Sequence, residues 1–183
     1  VDQAPNVYQA LMDMNGDGLP DIVESDRDHG EYWQIWRNTG SGFRDFGRWS
    51  VFHDGDLGDG YIQEFQLEDT DTKITTADMN GDGLPDIVKS EGDEWLVWLN
   101  TGSNFIEVHC GNCGVLDDDI TDVNPTDGDV QNDLVDINGD GLPDAVDPKE
   151  GTGAWEVRFN FGYDFGGDSV QWHSQARDGT LRD

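Results

Sequence analysis

Residues 94–100, EWLVWLN, are apolar on both parities of an extended chain: Trp95, Val97 and Leu99 point one way, Leu96 and Trp98 the other. The segment YWQIWRN at 32–38 divides similarly, with Trp33, Ile35 and Arg37 opposite Tyr32, Gln34 and Trp36. A strand that is apolar on both faces is covered on both, so its sheet lies between neighbours. Around these segments the chain reads as further short strands. NVYQALMD, TKITTADM and NDLVDI run into a polar loop; DIVES, DIVKS and DAVD leave it; FRDFGRWSVFH, FIEVHC and DSVQWHS follow the tryptophan segments. No stretch shows a helical period.

These strands recur in step. An acidic loop begins at Asp13, Asp78 and Asp136, about every 60 residues, and a tryptophan motif follows each copy at a nearly fixed distance. Trp33, Trp95 and Trp155 align, as do Asn38, Asn100 and Asn160, then Gly40, Gly102 and Gly162, then Phe43, Phe105 and Phe165. The NTGS segments between the third and fourth strands read as turns. Four short strands per unit, with each sheet covered on both faces, predict an all-β fold of β-propeller blades. The expectation is one repeat domain of three four-stranded blades at about 1–68, 69–130 and 131–183.

The acidic loops carry the candidate chemistry. In DMNGDGLPD, Asp13, Asn15, Asp17 and Asp21 stand at positions 1, 3, 5 and 9, and Leu19 at position 7 offers a backbone carbonyl. The second loop supplies Asp78, Asn80, Asp82, Leu84 and Asp86; the third supplies Asp136, Asn138, Asp140, Leu142 and Asp144. Gly16 and Gly18 can take the positive φ that folds oxygens inward. Two carboxylates about 4 Å apart repel by roughly 4 kcal/mol at an effective dielectric of 20. A cation between them removes that cost. All-oxygen ligands in a flexible loop suit Ca²⁺, one ion per loop, better than Mg²⁺, which holds to a stricter octahedron. The EF-hand shares the opening of this pattern but not its end. Its twelfth position needs a bidentate Glu, where this chain has Glu24, Lys89 and Asp147; position 8 is Pro20, Pro85 and Pro143, and the flanks are strands. The alternative is an acidic surface turn without an ion, which three intact copies disfavour. The acidic stretches at 53–60 and 117–129 lack the spacing and read as solvated loops.

Composition narrows the partners. Forty acids against ten bases give a net charge of −30, which repels nucleic acid and anionic membranes. No run of 18 apolar residues exists to cross a bilayer. Three divalent ions would cancel only part of the charge, so much of it belongs to the surface. Cys110 and Cys113 in HCGNCG read as a local disulfide, with free thiols as the alternative; no second C-x-x-C or paired His completes a zinc site. The start at Val1 suggests a processed or excised product.

The motif D-x-N-x-D-G-x-P-D between strands, followed by W-x-x-W-x-N-T-G, resembles the FG-GAP/VCBS repeat of integrin-α-like β-propellers, in a form near that of bacterial secreted and toxin-associated proteins and some fungal lectins. The resemblance spans nearly the whole chain. It implies a calcium loop joining two adjacent strands of each blade, on the fifteen residues already named. Members of that family close a ring of about seven blades, whereas this chain has three. It is therefore expected to be part of a longer protein, or to complete the structure by associating with further copies.

No nucleophile elbow, H-E-x-x-H or phosphate loop is present, and the chain is not expected to be an enzyme. The expected function is a calcium-stabilised binding or adhesion scaffold with a protein or glycan ligand. The alternative is a structural unit of a filament, shell or toxin casing. Trp36 and Trp98 suit either sugar stacking or packing between blades, and the two-faced strands favour packing. Weak calcium sites need the ion concentrations found outside the cell, so an extracellular or secreted location is expected.

Overall fold

The computed structural model describes residues 8–25, 32–50, 64–65, 72–91, 94–108, 120, 122–123, 130–149, 153–166 and 168–173. These residues form three antiparallel sheets. The first contains β1 (Gln9–Met12), β2 (Asp21–Ser25), β3 (Tyr32–Asn38) and β4 (Phe43–Ser50). The second contains β5 (Glu64–Phe65), β6 (Thr72–Ala77), β7 (Asp86–Glu91), β8 (Glu94–Asn100) and β9 (Phe105–Val108). The third contains β10 (Asp122–Val123), β11 (Val130–Val135), β12 (Asp144–Lys149), β13 (Ala154–Arg158) and β14 (Val170–His173). Each sheet is a meander whose neighbours in space are neighbours in sequence. The expected four-stranded blade is thus present three times. The second and third sheets each add a two-residue strand, β5 and β10, ahead of the boundaries at 69 and 131 read from the repeats. Among the described residues no helix is long and apolar enough to cross a membrane. Cys110 and Cys113 lie outside the described residues, as does nearly all of the acidic stretches at 53–60 and 117–129.

The core lies between the sheets, and β8 shows why its sequence is apolar on both sides. Trp95 and Val97 join Val88, Ala145 and Phe165 in a cluster shared with the third sheet. Trp98, on the opposite face, joins Ile74 and Ile87 in a cluster with Val23, Trp33, Ile35 and Trp49 of the first sheet. One face of each sheet therefore packs on the opposite face of the next. An edge-to-face ring pair repeats at both junctions. Trp33 meets Phe105 at 5.4 Å and 88°, and Trp95 meets Phe165 at 5.4 Å and 87°. Such pairs contribute about 0.5–1.5 kcal/mol beyond the area they bury.

Candidate metal loops and their links between sheets

Each acidic loop joins the first long strand of a sheet to the next: β1 to β2, β6 to β7, β11 to β12. Six glycines lie in the left-handed region at the same two loop positions: Gly16 (φ 75), Gly18 (φ 83), Gly81 (φ 75), Gly83 (φ 86), Gly139 (φ 82) and Gly141 (φ 93). A side chain there costs roughly 1–2 kcal/mol, which explains the fixed G-D-G.

This backbone turns its N–H groups onto the acidic side chains. Asp13 Oδ1 accepts from the amides of Gly16 (2.9 Å) and Asp17 (3.2 Å), and its Oδ2 from Gly18 (2.7 Å). Asp78 accepts from Asp82 (3.0 Å) and Gly83 (2.8 Å); Asp136 accepts from Gly139 (2.7 Å), Asp140 (3.1 Å) and Gly141 (2.9 Å). At position 3, Oδ1 of Asn15, Asn80 and Asn138 accepts from the amide of Asp17, Asp82 and Asp140. At position 5, Oδ1 of Asp17, Asp82 and Asp140 accepts from the amide of Leu19, Leu84 and Leu142, each at 2.9 Å.

The aspartates at position 9 act differently. Asp21, Asp86 and Asp144 are fully buried. One oxygen accepts from the amide of Met14, Met79 or Ile137, and the other from the amide of Asn38, Asn100 or Asn160. Each carboxylate thereby ties the loop to the end of the tryptophan strand. Burial pushes the Asp86 carboxyl up to about 6, against two amide hydrogen bonds that lower it, and the charges of Asp82 and Asp78 raise it further. Burial likewise raises Asp144, with the charge of Asp140 adding to it.

These residues fit a hard cation in donor type, since every candidate ligand is an oxygen. A carboxylate has about four lone-pair sites, so the amide contacts do not exhaust Asp13, Asp17, Asp78, Asp82, Asp136 or Asp140. Among the described residues no three His, Cys, Asp or Glu side chains converge as a metal cluster by themselves. An ion would therefore also draw on the asparagine oxygens and the position-7 carbonyls.

Two features of these loops went unread in the sequence. The tryptophan-motif asparagines, recognised there as aligned turn residues, reach into the neighbouring sheet. Asn100 Nδ2 donates to Met14 O at 3.1 Å, and Asn160 Nδ2 to Met79 O at 2.8 Å. Asn38, in the first of the described sheets, donates instead to Pro20 O in its own loop at 3.0 Å. The position-7 leucines, expected to contribute only a carbonyl, also pack across the junction. A methyl group added to Gly16 would lie 3.3 Å from Leu84 Cδ2, and one on Gly81 would lie 3.0 Å from Leu142 Cδ2. The strict recurrence of Asn and Leu was the available signal. Trp98 is buried between sheets, as packing predicted, while Trp36 lines an open cavity of about 370 Å³ with Glu24, Ser25, Tyr32, Gln34 and Arg48.

Sheets stacked face to face, with the loops of the first two fastened to the sheet that follows, define a β-propeller-like repeat scaffold. Residues 13–89, which span the first two acidic loops, match the model of the FG-GAP-like repeat family. No curated protein matches the chain significantly. Among solved structures, the Photorhabdus luminescens Tc holotoxin pore matches at a TM-score of 0.56 and 19% identity, over 93% of this chain. The chain spans only 7% of that toxin chain, and at that identity the likeness shows the fold alone. A lectin of Agrocybe aegerita that recognises non-reducing terminal N-acetylglucosamine matches at a TM-score of 0.41 and 21% identity, over 90% of this chain and 56% of its own. At that TM-score the lectin says nothing about ligand.

Proposed function

We propose that this chain is a calcium-stabilised, non-catalytic β-propeller module that works outside the cell as a binding or adhesion scaffold for a protein or glycan. The observation that carries the reading is the threefold loop. The same all-oxygen donor set is built three times on the same amide network, at the place where each sheet is fastened to its neighbour. Ca²⁺ on Asp13, Asn15, Asp17, Leu19 and Asp21, and on the matching residues of the other loops, would relieve carboxylate repulsion there. Its binding energy would then add to folding energy. Weak sites of this class fill at the calcium levels of extracellular fluid, which supports a secreted location.

Isothermal titration calorimetry and thermal unfolding test it together. The expected result is about three Ca²⁺ per chain and a Tm that rises with calcium and falls with EDTA. Ligand in hundredfold excess over Kd adds about 2.7 kcal/mol per site. No heat at millimolar calcium, with a melting point indifferent to chelator, would refute the reading.

A further inference from the structure

Among the described residues, the first and third sheets carry the unmatched halves of an interface that the chain forms twice internally. At the junctions of first with second and second with third sheet, three contacts recur: a tryptophan against a phenylalanine, an asparagine amide on a loop carbonyl, and a leucine on a loop glycine. The third sheet presents one half of each. Trp155 is 36% exposed, whereas its counterparts Trp33 and Trp95 are 1% and 3% exposed. Among the described residues nothing donates to the Ile137 carbonyl, which stands where Met14 and Met79 each receive an asparagine. Among the described residues nothing lies within 4 Å of a methyl placed on Gly139, where Gly16 and Gly81 meet leucines. Trp155 and Trp172 also line an apolar cavity of about 470 Å³ with Val135, Ile137 and Val146, roomy enough for an aromatic side chain.

The first sheet presents the other halves. Phe43, the counterpart of Phe105 and Phe165, is 50% exposed, and Leu19, the counterpart of Leu84 and Leu142, is exposed as well. Asn38 turns back onto its own loop. Ile22 and Trp36 hold the register places of Ile87 and Trp98, which are buried at the first junction. Glu24 does not spoil the match, because Lys89 holds the same register place at that junction.

From these matched halves we infer that the third sheet of one copy docks on the first sheet of a second copy, head to tail. Phe43 of the second copy then meets Trp155 of the first, its Asn38 meets the first copy's Ile137 carbonyl, and its Leu19 covers the first copy's Gly139. The contact is heterologous, so it closes into a ring or extends as a filament depending on the rotation per step. Net charge opposes it. Two chains at −30 repel, so association driven by apolar contact should strengthen with added salt, as screening shortens the Debye length to about 8 Å at 0.15 M.

Light scattering after size exclusion, and sedimentation velocity from 1 to 200 µM (roughly the Kd range of modest interfaces), test this in calcium at 0.05 and 0.5 M NaCl. The expected result is a mass of two or more chains that grows with concentration and salt. Phe43→Asp and Trp155→Asp, both at exposed positions, should each abolish association alone. Mixed, they should form a one-to-one dimer through the single pair of ends left intact. Circular dichroism matched to the unaltered chain shows that each variant is folded, and Leu19→Asp with Trp172→Asp serves as a second pair. An unaltered chain that stays monomeric throughout, as when further sheets of a longer protein are the true occupants, overturns the inference. So does a mixture of variants that stays monomeric while the unaltered chain associates.

Discussion

Asn100→Ala and Asn38→Ala remove the same side chain from the same motif and should differ sharply in cost. Each loses two hydrogen bonds. Asn100 gives up the donation to Met14 O (3.1 Å) and the acceptance from Gly102 N (2.8 Å); Asn38 gives up Pro20 O (3.0 Å) and Gly40 N (2.9 Å). The difference is water. Asn100 and Met14 are both buried, so the stranded carbonyl costs about 1–3 kcal/mol in desolvation, and the amide of half-buried Gly102 adds to it. Around Asn38 and Gly40 solvent replaces the lost partners, and the net loss is about 1 kcal/mol. We expect Asn100→Ala to be worse by about 2 kcal/mol, or roughly 4–8 °C in Tm for a chain of this size. Asn160→Ala should behave like Asn100→Ala, since its amide reaches Met79 O across the next junction. Tryptophan fluorescence during thermal and urea unfolding, at fixed calcium and low micromolar protein, reads the difference. Equal shifts for Asn38 and Asn100 would show that the inter-sheet bond contributes nothing and that both residues merely shape their turns.

Further outcomes follow from the loops. Asp82→Ala should lower the calcium count by one without unfolding the chain, read by calorimetry, because among the described residues its carboxylate accepts only from Asn80 and Leu84 of the second loop. In EDTA, Asp86 has a folded value of about 6 against an ordinary 3.8, so its protonated form is favoured by folding. That stabilisation is fully present below pH 3.8 and is lost as pH rises through about 6. Urea midpoints from pH 4 to 7 should therefore fall more steeply for the unaltered chain than for Asp86→Asn; parallel slopes would argue against it. Gly81→Ala should cost about 1–2 kcal/mol for its positive φ plus a further increment for crowding Leu142, whereas Gly83→Ala, which meets nothing within 4 Å among the described residues, should cost the φ term alone. Differential scanning calorimetry separates the two.

The fold class was legible because its signals are local. Apolar residues on both parities of YWQIWRN and EWLVWLN mark strands covered on both faces, and β3 and β8 occupy those segments. The G-D-G spacing marks a turn that needs positive φ, and all three loops adopt it. The two-residue strands β5 and β10 were not legible, since two residues carry no period. Position 9 was legible as acidic but not as structural. That Asp21, Asp86 and Asp144 bridge two backbone segments follows from the pairing of whole strands.

By itself, then, the sequence determined three repeats of short strands, each with an oxygen-rich turn, because periodicity and glycine placement act over a few neighbouring residues. Only the tertiary structure decided which face of one sheet meets which face of the next. It alone made Asn100 and Asn160 cross-links and, among the described residues, gave Asn38, Phe43 and Trp155 no such contact. Those contacts join residues 86 and 81 positions apart. They depend on how whole sheets stack, and no local pattern encodes that.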